Sequence, residues 1–115
     1  MDDSLAGAHL IDFVDLNELC MTSPASSFLL RVSGDSMIHK GIFDGDVAVC
    51  DKSIEAKDGS VIIAMYNGGF TIKELKLAPL RLVAYDVNST VYEISEGDDF
   101  EVFGVVTNVI RSLKK

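Results

Sequence analysis

A chain of 115 residues, 48% hydrophobic and 24% charged, is long enough for one domain with its own core and too short for two of ordinary size. Eighteen acidic against ten basic side chains give a formal charge of −8, which repels phosphate and argues against direct nucleic-acid binding. The longest apolar run, Val61–Tyr66, falls far short of the ~20 residues of a membrane span. The opening Met1-Asp2-Asp3 is acidic where a signal peptide is basic, so a cytoplasmic protein with no membrane partner is expected.

In chain order, residues 1–27 read as an N-terminal arm: an acidic start, a patterned stretch from His9 to Cys20, and then the turn and linker chemistry of Thr22-Ser23-Pro24-Ala25-Ser26-Ser27. Within it Asp15-Leu16-Asn17-Glu18-Leu19 suits one helical turn capped by Asp15, whose carboxylate can accept from an orphan N–H. From 28 to 115 the signals are those of strands. Apolar and β-branched runs are predicted at 28–32, 47–50, 60–66, 70–77, 80–85, 90–94 and 101–110, separated by glycine and aspartate turns. Asn67-Gly68-Gly69 between two of them is a hairpin signal. Seven strands in under 90 residues, with no long amphipathic helix, predict a mainly β domain: a curled, mostly antiparallel sheet or partial barrel.

Cys20 and Cys50 have no Cys-x-x-Cys spacing and no paired histidines nearby, so buried free thiols are expected rather than a metal or redox site, and no cofactor is implied. Ser36 follows a strand and a glycine, in Val32-Ser33-Gly34-Asp35-Ser36-Met37. That is ordinary turn chemistry on its own, and it lacks the second glycine of a Gly-x-Ser-x-Gly elbow. His39 is three residues on, but a Ser/His/Asp triad needs a histidine oriented by a buried acid, and the acids here cluster in turns. A lysine whose amine is kept neutral by burial can serve instead as the base. Strand alternation puts Thr71, Lys73, Leu75 and Leu77 on one face and Glu74 and Lys76 on the other, which makes Lys73 the candidate. A snorkelling edge lysine is the alternative. Lys40, Lys52, Lys57, Lys76 and the C-terminal lysines fall in turns, tails or a charged face and read as solubilising.

Three blocks, Val32–Met37, Gly41-Ile42-Phe43-Asp44-Gly45-Asp46 and Gly69-Phe70-Thr71-Ile72-Lys73-Glu74-Leu75, resemble the core of the LexA and UmuD family of self-cleaving serine peptidases, in the same order and with a comparable Ser-to-Lys interval of 37 residues. The resemblance covers about residues 12–113. It implies Ser36 as nucleophile, Lys73 as general base and the Ser36 backbone N–H as part of the oxyanion hole. The Ile11–Asn17 stretch and Val102-Phe103-Gly104-Val105-Val106 are similar to the UmuD-type branch. That branch implies an accessory subunit of the error-prone DNA polymerase V of the SOS response, which cuts its own arm with help from a RecA filament. It also implies a homodimer that then joins a UmuC-type polymerase subunit. The strand 101–110, apolar on both faces by simple alternation, points to a homodimer too.

Two departures stand out. Relatives carry a Cys-Gly or Ala-Gly scissile bond further upstream of the serine than Ala6-Gly7, which lies 30 residues before Ser36. The reading preferred here is that the chain resembles the processed form. Relatives often have a second basic residue where this chain has Glu74, which alternation turns away from the site. Two rival readings are the self-cleaving dimerisation domain of a LexA-type or phage repressor, and a non-enzymatic antitoxin-like or immunity-like binding module whose acidic surface is its working part.

Overall fold

The computed structural model describes residues 14–20 and 24–114. Its elements are a one-turn helix α1 (Leu16–Cys20) and seven strands: β1 (Ser27–Arg31), β2 (Val47–Asp51), β3 (Val61–Tyr66), β4 (Gly69–Lys76), β5 (Arg81–Val83), β6 (Val91–Glu93) and β7 (Phe100–Ile110). A 3-10 turn, Ile38–Lys40, lies between β1 and β2. All seven predicted strands are present within a few residues of their expected bounds. Asp15 caps α1 as expected, its carboxylate accepting from the Asn17 N–H at 2.9 Å. The candidate scissile bond Ala6-Gly7 and the arm histidine His9 lie outside the described residues.

The strands form one open antiparallel sheet in the order β1-β2-β7-β3-β4-β5-β6. Tyr66 pairs with Gly69 across a two-residue turn in which Asn67 and Gly68 both have positive φ, as a tight hairpin between right-twisted strands requires. The sheet carries apolar residues on both sides. One cluster gathers Val32, Met37, Ile42, Ala48, Cys50, Ile63 and Ile72. The other gathers Ile62, Ala64, Leu75, Leu82 and Val105.

Strand β7 departs from simple alternation. It is not an edge but the centre of the sheet, paired with β2 on one side and β3 on the other. The register slips once on each side: Ile63 faces Gly104 and Ala64 faces Val102, while Val49 faces Asn108 and Cys50 faces Val106. Each slip inserts one extra residue and reverses which face later residues take. Val102 and Val105 therefore join one cluster, and Val106 and Val109 the other. The apolar residues of β7 are accordingly largely absorbed inside the subunit, so the two-faced pattern is weaker ground for a homodimer than alternation suggested.

Cys20 and Cys50 are both buried and free. Burial pushes the Cys50 thiol up to about 11, helped by the charge of Asp51. Gly104 sits directly against Cys50: a Cβ there would stand 2.6 Å from its Sγ and 3.1 Å from the Asp51 carbonyl oxygen. Among the described residues no helix is long and apolar enough to cross a membrane.

Candidate active site

Each of the three sequence blocks has a distinct part in building the site. After β1 the chain is clamped to the second block, with the Val32 N–H bonded to the Asp46 carbonyl and the Gly45 N–H to the Val32 carbonyl, each at 2.8 Å. The Asp44 carboxylate accepts from the Gly34 N–H at 2.7 Å. Gly34 has φ +92, a left-handed turn that aims the following residues back over the sheet. Met37 is then driven into the core, which leaves its neighbour Ser36 half-buried at the rim. The Ser36 carbonyl accepts from the Tyr85 N–H at 2.7 Å, beyond the end of β5.

The third block brings Lys73. Its Nζ lies 3.3 Å from Ser36 Oγ, 2.5 Å from Thr71 Oγ1 and 3.2 Å from the Ile72 carbonyl oxygen, and 5.8 Å from the centre of the Tyr92 ring. Lys73 is 9% exposed. Burial holds its ammonium below the ordinary lysine pKa, and the negative charge of Asp86 opposes that only in part. Among the described residues the hydrogen-bond acceptors of Nζ are neutral oxygens. Such an arrangement lets an amine shed its proton and then accept one from a hydroxyl.

Ser36 and Lys73 open onto a groove of about 400 Å³ that runs between the end of β1 and the start of β4, with Ala48 and Ile63 at its floor and Phe70 at its far wall. The groove is mostly apolar. His39 stands exposed on the 3-10 turn, its backbone N–H spent on the Tyr85 carbonyl.

Two further charged clusters brace the site, and neither was visible in the local sequence pattern. Asp46 is 1% exposed and holds the Arg111 guanidinium in a two-pronged contact, Nε and one terminal nitrogen each at 2.7 Å, with the ring of Phe43 4.1 Å beneath the guanidinium carbon. Hydrogen bonds from Arg111 hold the Asp46 carboxyl below the usual carboxylate range despite its burial. Partners 65 residues apart leave no signal in a short window. Alternation puts Glu74 on a charged face turned away from the site and reads Lys40 as a solubilising turn lysine, but Glu74 is 3% exposed and ion-paired with Lys40 at 2.9 Å and with Lys76 at 3.4 Å. The reason is that the sheet is covered on both sides here, so the face opposite Lys73 is also interior.

A serine hydroxyl set against a desolvated amine at the end of an apolar groove is compatible with the class of serine hydrolases that work without histidine. Known proteins agree with that class: the Peptidase S24-like family matches residues 3–107, and the chain belongs to it, the family of the LexA- and UmuD-type self-cleaving serine peptidases. It is 35% identical over 102 residues to Protein ImpA of Salmonella typhimurium, covering 89% of this chain and 70% of that protein. It is 37% identical over 111 residues to Protein SamA of the same species, covering 96% and 78%. To the LexA repressor of Stenotrophomonas maltophilia it is 35% identical over 102 residues, covering 87% of this chain and 48% of the repressor.

Proposed function

We propose that the chain is a UmuD-type accessory subunit of the error-prone translesion polymerase of the SOS response, that Ser36 and Lys73 are the catalytic pair with which such a protein cuts its own N-terminal arm, and that this chain resembles the processed form. The observation that carries this reading is the 3.3 Å approach of the Lys73 amine, away from bulk solvent, to the Ser36 hydroxyl. Neutral Lys73 takes the hydroxyl proton as Ser36 Oγ attacks the scissile carbonyl, and the Ser36 backbone N–H helps hold the oxyanion. The lysine then gives that proton to the departing amine, and water releases the acyl group from the serine. Peptide docked in the groove excludes water from Nζ and favours its neutral form, which ties activity to the presence of the arm.

The acidic surface suits binding to proteins rather than to DNA. At −8 the domain is repelled by phosphate, but opposite fields speed its encounter with the basic surfaces of a DNA-bound UmuC-type polymerase or RecA filament. The working form in this reading is a cytoplasmic homodimer. The similarity to ImpA and SamA, at 35% and 37% identity over 70% and 78% of their lengths, supports the accessory-subunit reading.

The test carries the chain behind a cleavable arm and follows self-cleavage on a gel with and without RecA filaments. Ser36→Ala and Lys73→Ala each abolish cutting if the assignment is right, and full cutting by either variant sinks it. Co-purification with the polymerase subunit, and a light-scattering mass twice the 12.5 kDa of the chain, are expected alongside. Tight single-stranded DNA binding by the chain alone would favour the repressor reading.

A further inference from the structure

Glu74 does not touch the reacting atoms, yet two of its partners, Lys40 and Tyr85, lie on the path that carries Ser36. Lys40 ends the 3-10 turn that begins two residues after Ser36, and its ammonium meets the Glu74 carboxylate at 2.9 Å while lying 4.7 Å from the centre of the Tyr85 ring. Tyr85 is the residue whose N–H binds the Ser36 carbonyl and whose carbonyl binds the His39 N–H. Glu74 itself pairs with Val83 of β5, two residues before Tyr85, and follows Lys73 on β4. One carboxylate thus links the strand that bears the lysine to the far end of the segment that bears the serine.

The carboxylate is buried at 3% exposure, whereas Lys40 and Lys76 reach solvent with side chains 41% and 34% exposed. A buried ion pair contributes little net stability compared with apolar residues of the same size, so its distinctive contribution is a fixed geometry. We infer that Glu74 is a positioning residue: by gripping Lys40 it fixes the Ser36–Lys40 segment against β4 and so sets the distance between the Ser36 hydroxyl and the Lys73 amine. The inference rests on the catalytic reading of Ser36 and Lys73. It concerns the residue at which this chain departs from the basic side chain its relatives often carry.

The experiment labels the full chain with a fluorophosphonate probe, which reacts with an activated serine hydroxyl, and reads the modification of Ser36 by intact mass as a function of pH. Rates are taken per folded molecule, at temperatures well below each variant's unfolding midpoint. Glu74→Gln and Lys40→Gln are each expected to lower the plateau rate about tenfold, the scale of a small misplacement of reacting groups. The pH midpoint set by Lys73 is expected to stay where it is. Because the two residues act as one tie, the double variant should be no slower than either single one. Lys40 is solvent-exposed, so Lys40→Gln decides the matter if Glu74→Gln fails to fold. An unchanged plateau in the folded variants, additive losses in the double, or a moved midpoint with a full plateau would each overturn the positioning role. If the unaltered chain is not labelled at Ser36, or Lys73→Ala is labelled equally fast, the catalytic reading itself falls and this inference falls with it.

Discussion

Lys73 and Glu74 are neighbours on β4, take opposite sides of the sheet and are both buried, yet the protein treats their charges in opposite ways. The amine is given hydroxyl and carbonyl oxygens and an aromatic ring, which leave it desolvated and inclined to lose its proton. For the carboxylate, burial alone would raise the pKa, but the hydrogen bonds of Lys40 and Tyr85, the charge of Lys40 and the contact of Lys76 outweigh it and hold Glu74 ionised. Burial therefore does not decide what an ionisable side chain becomes; the partners it meets inside do. The first residue is poised to exchange a proton, and the second is fixed as a charge.

That contrast can be broken most sharply by substitution. Lys73→Met should reduce self-cleavage by a factor on the order of 10⁴, as loss of a catalytic base does, while raising stability by about 1 kcal/mol because a poorly solvated ammonium is replaced by an apolar chain. Glu74→Gln should do the reverse in energetic terms and cost about 1–2 kcal/mol in urea unfolding. That is less than the ~3–5 kcal/mol of a fully buried pair, since both lysine partners reach water. If Lys73→Met proves markedly destabilising, the amine is not held under strain and the contrast fails.

Acidity sharpens the same comparison through linkage. The folded chain releases the Lys73 proton before the unfolded chain does, so between its lowered folded pKa and the unfolded value of about 10.4 stability should climb with pH. Glu74 has a folded pKa below its unfolded value, so its contribution is fully present above about pH 4.3 and is lost as pH falls through the folded pKa. Urea midpoints measured across pH should show the alkaline rise disappearing in Lys73→Met and the acid-side loss shrinking in Glu74→Gln.

Smaller effects belong to the surroundings of the amine. The charge of Asp86 favours protonated Lys73, so Asp86→Asn should move the alkaline rise of the cleavage rate to lower pH. Thr71→Val removes a hydroxyl that accepts from Nζ and so favours the ammonium, and it should move the same curve in the same direction by less. A shift of either curve to higher pH would contradict the electrostatic account of the site.

The sequence alone determined the strands, the hairpin at Asn67-Gly68 and the cap on α1, because each is set by local chemistry: period-two patterning, positive-φ turn residues and a side-chain acceptor beside orphan N–H groups. It paired Ser36 with Lys73 only through the order of three blocks that resemble a family, since the turn around Ser36 and a snorkelling Lys73 stayed open by local chemistry. Alternation picked out Lys73 and misread Glu74 for one reason: it separates the two faces of a strand without saying whether one or both are covered. Only the tertiary structure decided that β7 lies at the centre of the sheet, where two inserted residues reverse its faces and bring Val102 beside Val105 in one cluster. It alone also decided that Asp46 meets Arg111 and that Glu74 meets Lys40. Those contacts join segments far apart in the chain, and a charge carries no mark of its distant partner until the fold has closed around it.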